Sequence, residues 1–182
     1  MAVNYGKRFE QNFNKSVPDG VWYYRIPDPI ESFNDIKNQL RFHIKNPCDC
    51  LLWNPSNQQL YALELKSTQQ NCLTFWREDF ENGRSNQTFM IKKQQIEGLQ
   101  KIKQFRVNCG LIINFRKSDG TERTYYLDIE DFLNFSNETK KKSINEEDIQ
   151  KNNGVPIISE KLRSNYKYDI ASLLDKVFIK EF

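Results

Sequence analysis

Cys48-Asp49-Cys50-Leu51-Leu52-Trp53, Asn54-Pro55-Ser56-Asn57 and Leu60-Tyr61-Ala62-Leu63-Glu64-Leu65-Lys66 are the segments whose reading decides the fold. The first is an apolar run broken by one acid, the second carries turn residues, and the third returns as a strand. Side chains alternate faces along a strand, so Tyr61, Leu63 and Leu65 share one face and Ala62, Glu64 and Lys66 the other. An even number of loop residues sets Asp49 opposite an even-numbered residue, either Ala62 or Glu64. Directly opposed residues project to the same face, and diagonal neighbours lie only about 7–8 Å apart. Both carboxylates can therefore hold one metal ion, with the Lys66 ammonium beside it. This is hydrolytic phosphodiester chemistry in outline. By the same alternation Cys48 and Cys50 face away from Asp49, toward the packed side.

Upstream, residues 4–16 form a short helix, with Phe9 and Phe13 at i, i+4 and Glu10 adjoining that stripe. Val21 to Ile26 is a β-rich run closed by Pro27-Asp28-Pro29. Residues 30–46 read either as a helix around Ile36, Leu40 and Ile44 or as an irregular arm. Downstream, residues 67–88 are a polar loop with partial structure, anchored by Phe75, Trp76 and Phe80. Residues 89–106 carry a helical stripe through Ile91 or Gln95, Ile96, Leu99, Ile102 and Phe105, and Gly98 costs that helix roughly 1 kcal/mol against alanine. Cys109 to Phe115 and Arg123 to Ile129 are strands, and residues 130–135 a short helical turn. Ser136 to Asn153, whose charges nearly cancel, is an exposed loop or helix. Tyr168 to Phe178 is a final helix presenting Ile170, Leu173, Leu174, Val177 and Phe178. The order helix, strand, hairpin, helix, strand, strand, helix predicts an α/β or α+β domain with a central mixed sheet.

At 182 residues and 21.7 kDa the chain is expected to form one domain, residues 1–182, with a proper core. An aromatic content of 13% argues against wholesale disorder. The net charge of +3 and pI of 8.6 permit a polyanionic partner but fall short of a dedicated nucleic-acid-binding domain. No apolar run is long enough to span a membrane, and Met1 to Glu10 lacks the apolar core of a signal peptide, so the cytoplasm is the expected location. The cysteines are Cys48, Cys50, Cys72 and Cys109, and the only histidine is His43. A zinc site needs a second closely spaced pair. The thiols read as small buried hydrophobes, with metal and disulfide roles as the alternatives.

An acid followed at a distance by Glu-x-Lys on adjacent strands, here Pro47-Cys48-Asp49 and Glu64-Leu65-Lys66, resembles the PD-(D/E)xK nuclease superfamily. More of the chain is similar to one branch, the RecU-type Holliday junction resolvases and their phage relatives. Gly6-Lys7-Arg8-Phe9-Glu10 is similar to that family's opening. Ile91-Lys92-Lys93-Gln94-Gln95-Ile96-Glu97 resembles its Ile-x-x-His-Gln-Ile-Glu helix. Gly110 to Phe115 and Thr124-Tyr125-Tyr126-Leu127 follow its strand pair, and Tyr168 to Asp175 its terminal helix. Three departures stand out. Gln94 replaces the family's histidine, and Pro47 stands two before the acid, where the family often has a metal-contacting threonine. The stretch from Arg25 to Asp49 is also shorter than the family's arm, which projects from the dimer toward the junction centre.

The resemblance implies a restriction-endonuclease-like core, a central mixed β-sheet flanked by helices. Asp49, Glu64 and Gln95 would bind Mg²⁺ or Mn²⁺ together with waters, an all-oxygen set that suits a hard cation. Lys66 would orient the attacking water or stabilise charge on the phosphate, and Glu10 would support the site from the helix. Arg25, Arg41 and Lys45 are placed to reach phosphates, with Lys92 and Lys93 on a basic helix; such contacts position DNA without reading its bases. Trp22, Tyr23, Phe33, Phe75, Trp76 and Phe80 are apolar material for an isologous interface. The expected protein is a homodimer in the cytoplasm of a bacterial host cell, cleaving branched DNA by paired symmetric nicks, since two nicks need two active sites. The alternatives are a restriction-type or flap-cleaving PD-(D/E)xK nuclease, or a DNA-binding accessory protein whose acids are structural.

Overall fold

In the computed structural model, which describes residues 4–27, 46–78 and 89–179, the chain opens with helix α1 (Tyr5–Ser16). Asn4 caps it by accepting from the Lys7 N–H, and Phe9 and Phe13 bury on one side as their spacing requires. Strand β1 (Trp22–Arg25) leads to the hairpin of β2 (Cys50–Asn54) and β3 (Gln59–Thr68). The turn takes its shape from asparagines. The Asn54 and Asn57 side chains accept from Ser56 N–H and Gln59 N–H at 3.1 Å each, and Gln58 adopts φ of +56°. Cys50 pairs with Leu63 and Leu52 with Tyr61, a register that, continued one step, sets Asp49 against Glu64.

The chain continues through β4 (Cys72–Thr74), α2 (Lys93–Lys103), β5 (Asn108–Arg116), β6 (Glu122–Asp128) and α3 (Ile129–Glu138). It ends with β7 (Ser143–Asn145), α4 (Glu146–Lys151), β8 (Val155–Ile157), β9 (Ser159–Lys161), β10 (Tyr166–Tyr168) and α5 (Ile170–Ile179). The main sheet has six strands in the order β1-β2-β3-β5-β6-β8, while β4–β7 and β9–β10 form two-stranded ribbons. Neighbours in the main sheet are antiparallel except β3 and β5, whose parallel pairing matches Glu64 with Leu111 and Lys66 with Ile113. A parallel pair needs a long crossover, and α2 lies within it. The fold is thus α/β, a central mixed sheet flanked by helices.

Both faces of the sheet are covered, so β3 is buried without a break from Tyr61 to Leu65 and β5 from Asn108 to Phe115. Alternation sorts them. Tyr61, Leu63, Leu65 and Ile112 pack with Phe9 and Phe13 of α1 and Leu173 and Leu174 of α5. Ala62, Leu111 and Ile113 pack with Ile96 and Leu99 of α2 and Phe132 of α3. Glu64 is on the α2 face by the same rule.

Several expectations need correction. Residues 130–135 are not a short turn but part of a ten-residue helix, capped where Asp128 accepts from Glu130 N–H at 2.8 Å and held by buried Phe132 and Phe135. The stretch 136–153 is packed, because Ile144 and Ile149 are fully buried and anchor β7 and α4 beneath a charged surface. Phe75 is core, edge-on to Phe132 at 5.5 Å, and no longer available for an interface. Tyr168 belongs to β10 and precedes the last helix. Helix α2 stops at Lys103, and Phe105, 80% exposed, is off its stripe because the chain turns through Arg106 at φ of +59°. Cys48 and Cys50 are both buried but in opposite layers, since alternation ends with the strand at Cys50. The readings of residues 30–45 and 79–88, with Phe33, Arg41, Lys45 and Phe80, lie outside the described residues.

Gly98 sets the height of α2 over the sheet. A Cβ there would meet the Pro47 carbonyl oxygen at 2.6 Å and its Cα at 2.8 Å, both backbone atoms unable to swing aside. In an isolated helix alanine would gain roughly 1 kcal/mol over glycine. Here Gly98→Ala is expected to destabilise the protein by about 1–3 kcal/mol, the range for overpacking. The urea-unfolding midpoint reads the sign, and a variant as stable as the parent would show that α2 does not rest on Pro47.

Candidate active site

The end of β2 places the first acid. The Asp49 N–H donates to the Leu63 carbonyl at 3.0 Å, and its Oδ2 accepts from the Leu65 N–H at 2.7 Å. Asp49 thereby substitutes its carboxylate for the next rung of the hairpin, which fixes it opposite Glu64. The Asp49 carbonyl takes the Ile26 N–H at 2.9 Å, tying in the end of β1. Asp49 is half-buried, whereas Glu64, in mid-strand, is only 2% exposed.

Three groups surround the Glu64 carboxylate. Lys66, two residues along the same strand face, brings Nζ to 2.9 Å from Oε1. The Gln95 side chain donates its Nε2–H to the same oxygen. Burial pushes the Glu64 carboxyl up from 4.5 to about 7; Lys66 opposes that shift, and the facing Asp49 carboxyl reinforces it. Even beside Lys66, a carboxyl so buried and facing a second acid ionises less readily than a free glutamate.

Gln95 reaches this corner from the N-terminus of α2. Its Oε1 accepts from the Lys92 N–H at 2.9 Å, the reciprocal half of a capping box, since the Lys92 ammonium has no lone pair to offer in return. That bond fixes which end of the amide faces Glu64. The nitrogen does, so in this rotamer Gln95 orients the carboxylate instead of offering it a ligand oxygen. The Gly98–Pro47 contact, one turn on, sets how closely Gln95 approaches.

Asp49, Glu64, Lys66 and Gln95 thus come together. Glu10 does not join them; its Oε2 takes two bonds from Arg25, at 3.1 Å from Nε and 2.9 Å from Nη2. Arg25 reaches Glu10 because it ends β1 beside α1, and its charge is directed there first. Lys92 and Lys93 are exposed on the turn that carries Gln95, with Lys93 Nζ 4.4 Å from the Trp76 ring centroid. Burial pushes the Cys48 thiol up to about 12, with Glu64 and Asp49 adding to the shift, so it stays protonated at neutral pH. Trp22, 52% exposed, stacks on Tyr24 on the outer strand, and Tyr23 is half-buried. The Leu65 N–H clamp and the Gly98–Pro47 contact escaped sequence reading; a glycine inside a helical stripe was the available signal for the second.

Among the described residues no group of three or more His, Cys, Asp and Glu is gathered as a metal site. Asp49 and Glu64 do adjoin as a pair of acids. An all-oxygen pair suits a hard divalent cation completed by water or substrate oxygens. Such a cation would offset the burial and the Asp49 charge that push the Glu64 carboxyl up.

No family model matches the chain, and no curated protein sequence matches it. Fifteen chains of solved structures match. One is Hjc from Archaeoglobus fulgidus, a Holliday junction resolvase from an archaeal hyperthermophile. It matches at 16% identity and a TM-score of 0.46, over 83% of this chain and 95% of that one. No helix of the described residues is long and apolar enough to cross a membrane.

The Glu64 shift has a sign. The folded protein holds this proton more tightly than the unfolded chain, so the contribution is present below about pH 4.5 and is lost as pH rises through about 7. In a chelator the urea midpoint should fall between pH 5 and pH 8, by at most roughly 3 kcal/mol from this group. Glu64→Gln should flatten that fall, and Mn²⁺ should reverse it in the parent alone. Equal pH dependence in parent and variant would remove Glu64 as its source.

Proposed function

We propose that this protein is a Mg²⁺- or Mn²⁺-dependent endonuclease of the PD-(D/E)xK kind, with a restriction-endonuclease-like core, that cleaves branched DNA. The observation that carries this reading is the convergence of Asp49, Glu64 and Lys66 on one corner of the sheet, with Glu64 buried and Lys66 Nζ at 2.9 Å from it. A buried acid with a second one against it and an adjoining ammonium is costly unless the corner has work to do.

Asp49 and Glu64 would hold the cation, which supplies Lewis acidity toward the scissile phosphate. The Leu65 N–H keeps Asp49 in place, and the Gln95 amide and Lys66 keep the Glu64 carboxylate oriented. With a phosphate at the corner, Lys66 can turn from Glu64 toward the developing charge or align the attacking water. Lys92 and Lys93, exposed beside Gln95, would contact the flanking phosphates. Gln95 is assigned a positioning role, and ligation through its oxygen would require the amide to leave Lys92.

Resolution of a Holliday junction by symmetric nicks is the finer form of this proposal. It draws on the RecU-type resemblance, which spans residue 6 to about 178 in order. A homodimer supplies the second active site and matches the two-fold symmetry of the substrate.

Labelled four-way junctions and matched linear duplexes, incubated with Mg²⁺ and with EDTA, test the reading. Metal-dependent paired nicks in the junction are expected. Equal cutting of the linear duplex would favour a restriction-type nuclease, and junction binding without cutting an accessory protein. Asp49→Ala, Glu64→Ala and Lys66→Ala should each lower cleavage at least about a hundredfold while junction binding survives. Near-parent cutting by any of them would overturn the site assignment. Light scattering should give a dimer; a strict monomer binding one to one would remove the resolvase geometry and leave the plainer nuclease.

A further inference from the structure

We propose that the cleft between α1, the β5–β6 turn and the β9–β10 ribbon is a second binding site, for phosphates of a nucleic-acid backbone. The identity of the polymer rests on the nuclease reading; the anion chemistry does not. The cavity has a volume of about 340 Å³ and is lined by Arg8, Arg116, Lys161 and Arg163, with Tyr5 and Tyr166 as aromatic walls. Among the described residues none of these four cations has a carboxylate within ion-pair distance. Lys117, also in the lining, is by contrast tied to Glu146. The carboxylate in the lining is Glu122, whose Oε2 already accepts from Tyr168 OH at 2.8 Å and Asn114 Nδ2 at 3.1 Å.

Two of the cations are held in place. The Arg116 guanidinium lies 4.3 Å from the Tyr5 ring centroid, and its Nε–H donates to Ser67 Oγ at 3.0 Å. Its outer nitrogens are then a fixed fork of the kind that matches phosphate oxygens. Lys161 Nζ donates to the Gly120 carbonyl at 3.3 Å, and Tyr166 OH donates to the same oxygen. Arg8 is half-buried and Arg163 exposed, each contributing charge without a fixed partner. Like charges drawn from separate elements into one concave site repel one another and concentrate anions.

The cleft is also placed for the substrate. Ser67, which pins Arg116, follows Lys66 in β3, with its side chain turned to the α1 face while Glu64 and Lys66 face α2. Lys66 and the cleft residue Gln69 are three residues apart where β3 ends, roughly 10 Å of extended chain and about the axial rise of three nucleotides. A backbone rounding this end of the sheet passes from the acid pair to the cleft.

Fluorescence anisotropy of the full chain with a labelled four-way junction in EDTA, over a salt series, tests the proposal. The double variant Arg8→Gln, Arg163→Gln is expected to lose about tenfold in affinity near 0.1 M salt and to lower the slope of log affinity against log salt by about 1.8. A control losing equal charge outside the cleft, Lys15→Gln with Lys176→Gln, should keep the parent slope. Arg116→Gln should weaken binding too, and the double variant at Arg8 and Arg163 decides the matter if that one fails to fold. Equal behaviour of the cleft and control doubles would overturn the proposal. So would protection of the cleft from heat by inorganic phosphate but not by DNA. Parallel cleavage with Mg²⁺ separates the two readings. Cutting with cleft-independent binding removes the cleft alone, and cleft-dependent binding without cutting removes the nuclease alone.

Discussion

Burying the Glu64 carboxylate on the central strand costs several kcal/mol if it is ionised and unpaired. The surroundings respond at three points. Lys66 supplies the opposite charge, Gln95 a hydrogen bond, and Asp49 makes matters worse by adding a second acid. A structure optimised for stability alone would place leucine at position 64, as it does at 63 and 65. The acid pair makes physical sense if a cation enters the corner, because it then pays for the charge that burial opposes.

Position follows from the backbone. The register of β2 on β3 sets Asp49 opposite Glu64, and the Leu65 N–H holds it there because the hairpin ladder has run out of backbone partners. From above, α2 can lie low enough for Gln95 to reach Glu64 because residue 98 has no side chain. Both devices use main-chain atoms, so the site sits on the rigid part of the fold. The basic cleft continues the same logic at the strand end, where Ser67 links the β3 backbone to Arg116.

The hairpin was legible because strand alternation and a four-residue turn are local rules, and together they placed Asp49, Glu64 and Lys66 on one face. The same rule misplaced Cys48, which lies beyond the strand end where alternation no longer applies. Glu10 is legible as a helix residue, but nothing local tells that β1 delivers Arg25 to it. In residues 136–153 the dense charges concealed Ile144 and Ile149, two apolar anchors too far apart to form a stripe. The cleft left no trace in sequence at all: Arg8 and Arg163 are brought together only by tertiary packing.

Under the proposed function Asp49 and Glu64 would share a divalent cation. Anomalous diffraction from crystals soaked in Mn²⁺ tests it most directly. The account predicts a peak at about 2.0–2.4 Å from an oxygen of each carboxylate, with the Lys66 ammonium displaced from Glu64. Ordered Mn²⁺ elsewhere, with Glu64 still bonded to Lys66 and Gln95, would contradict it.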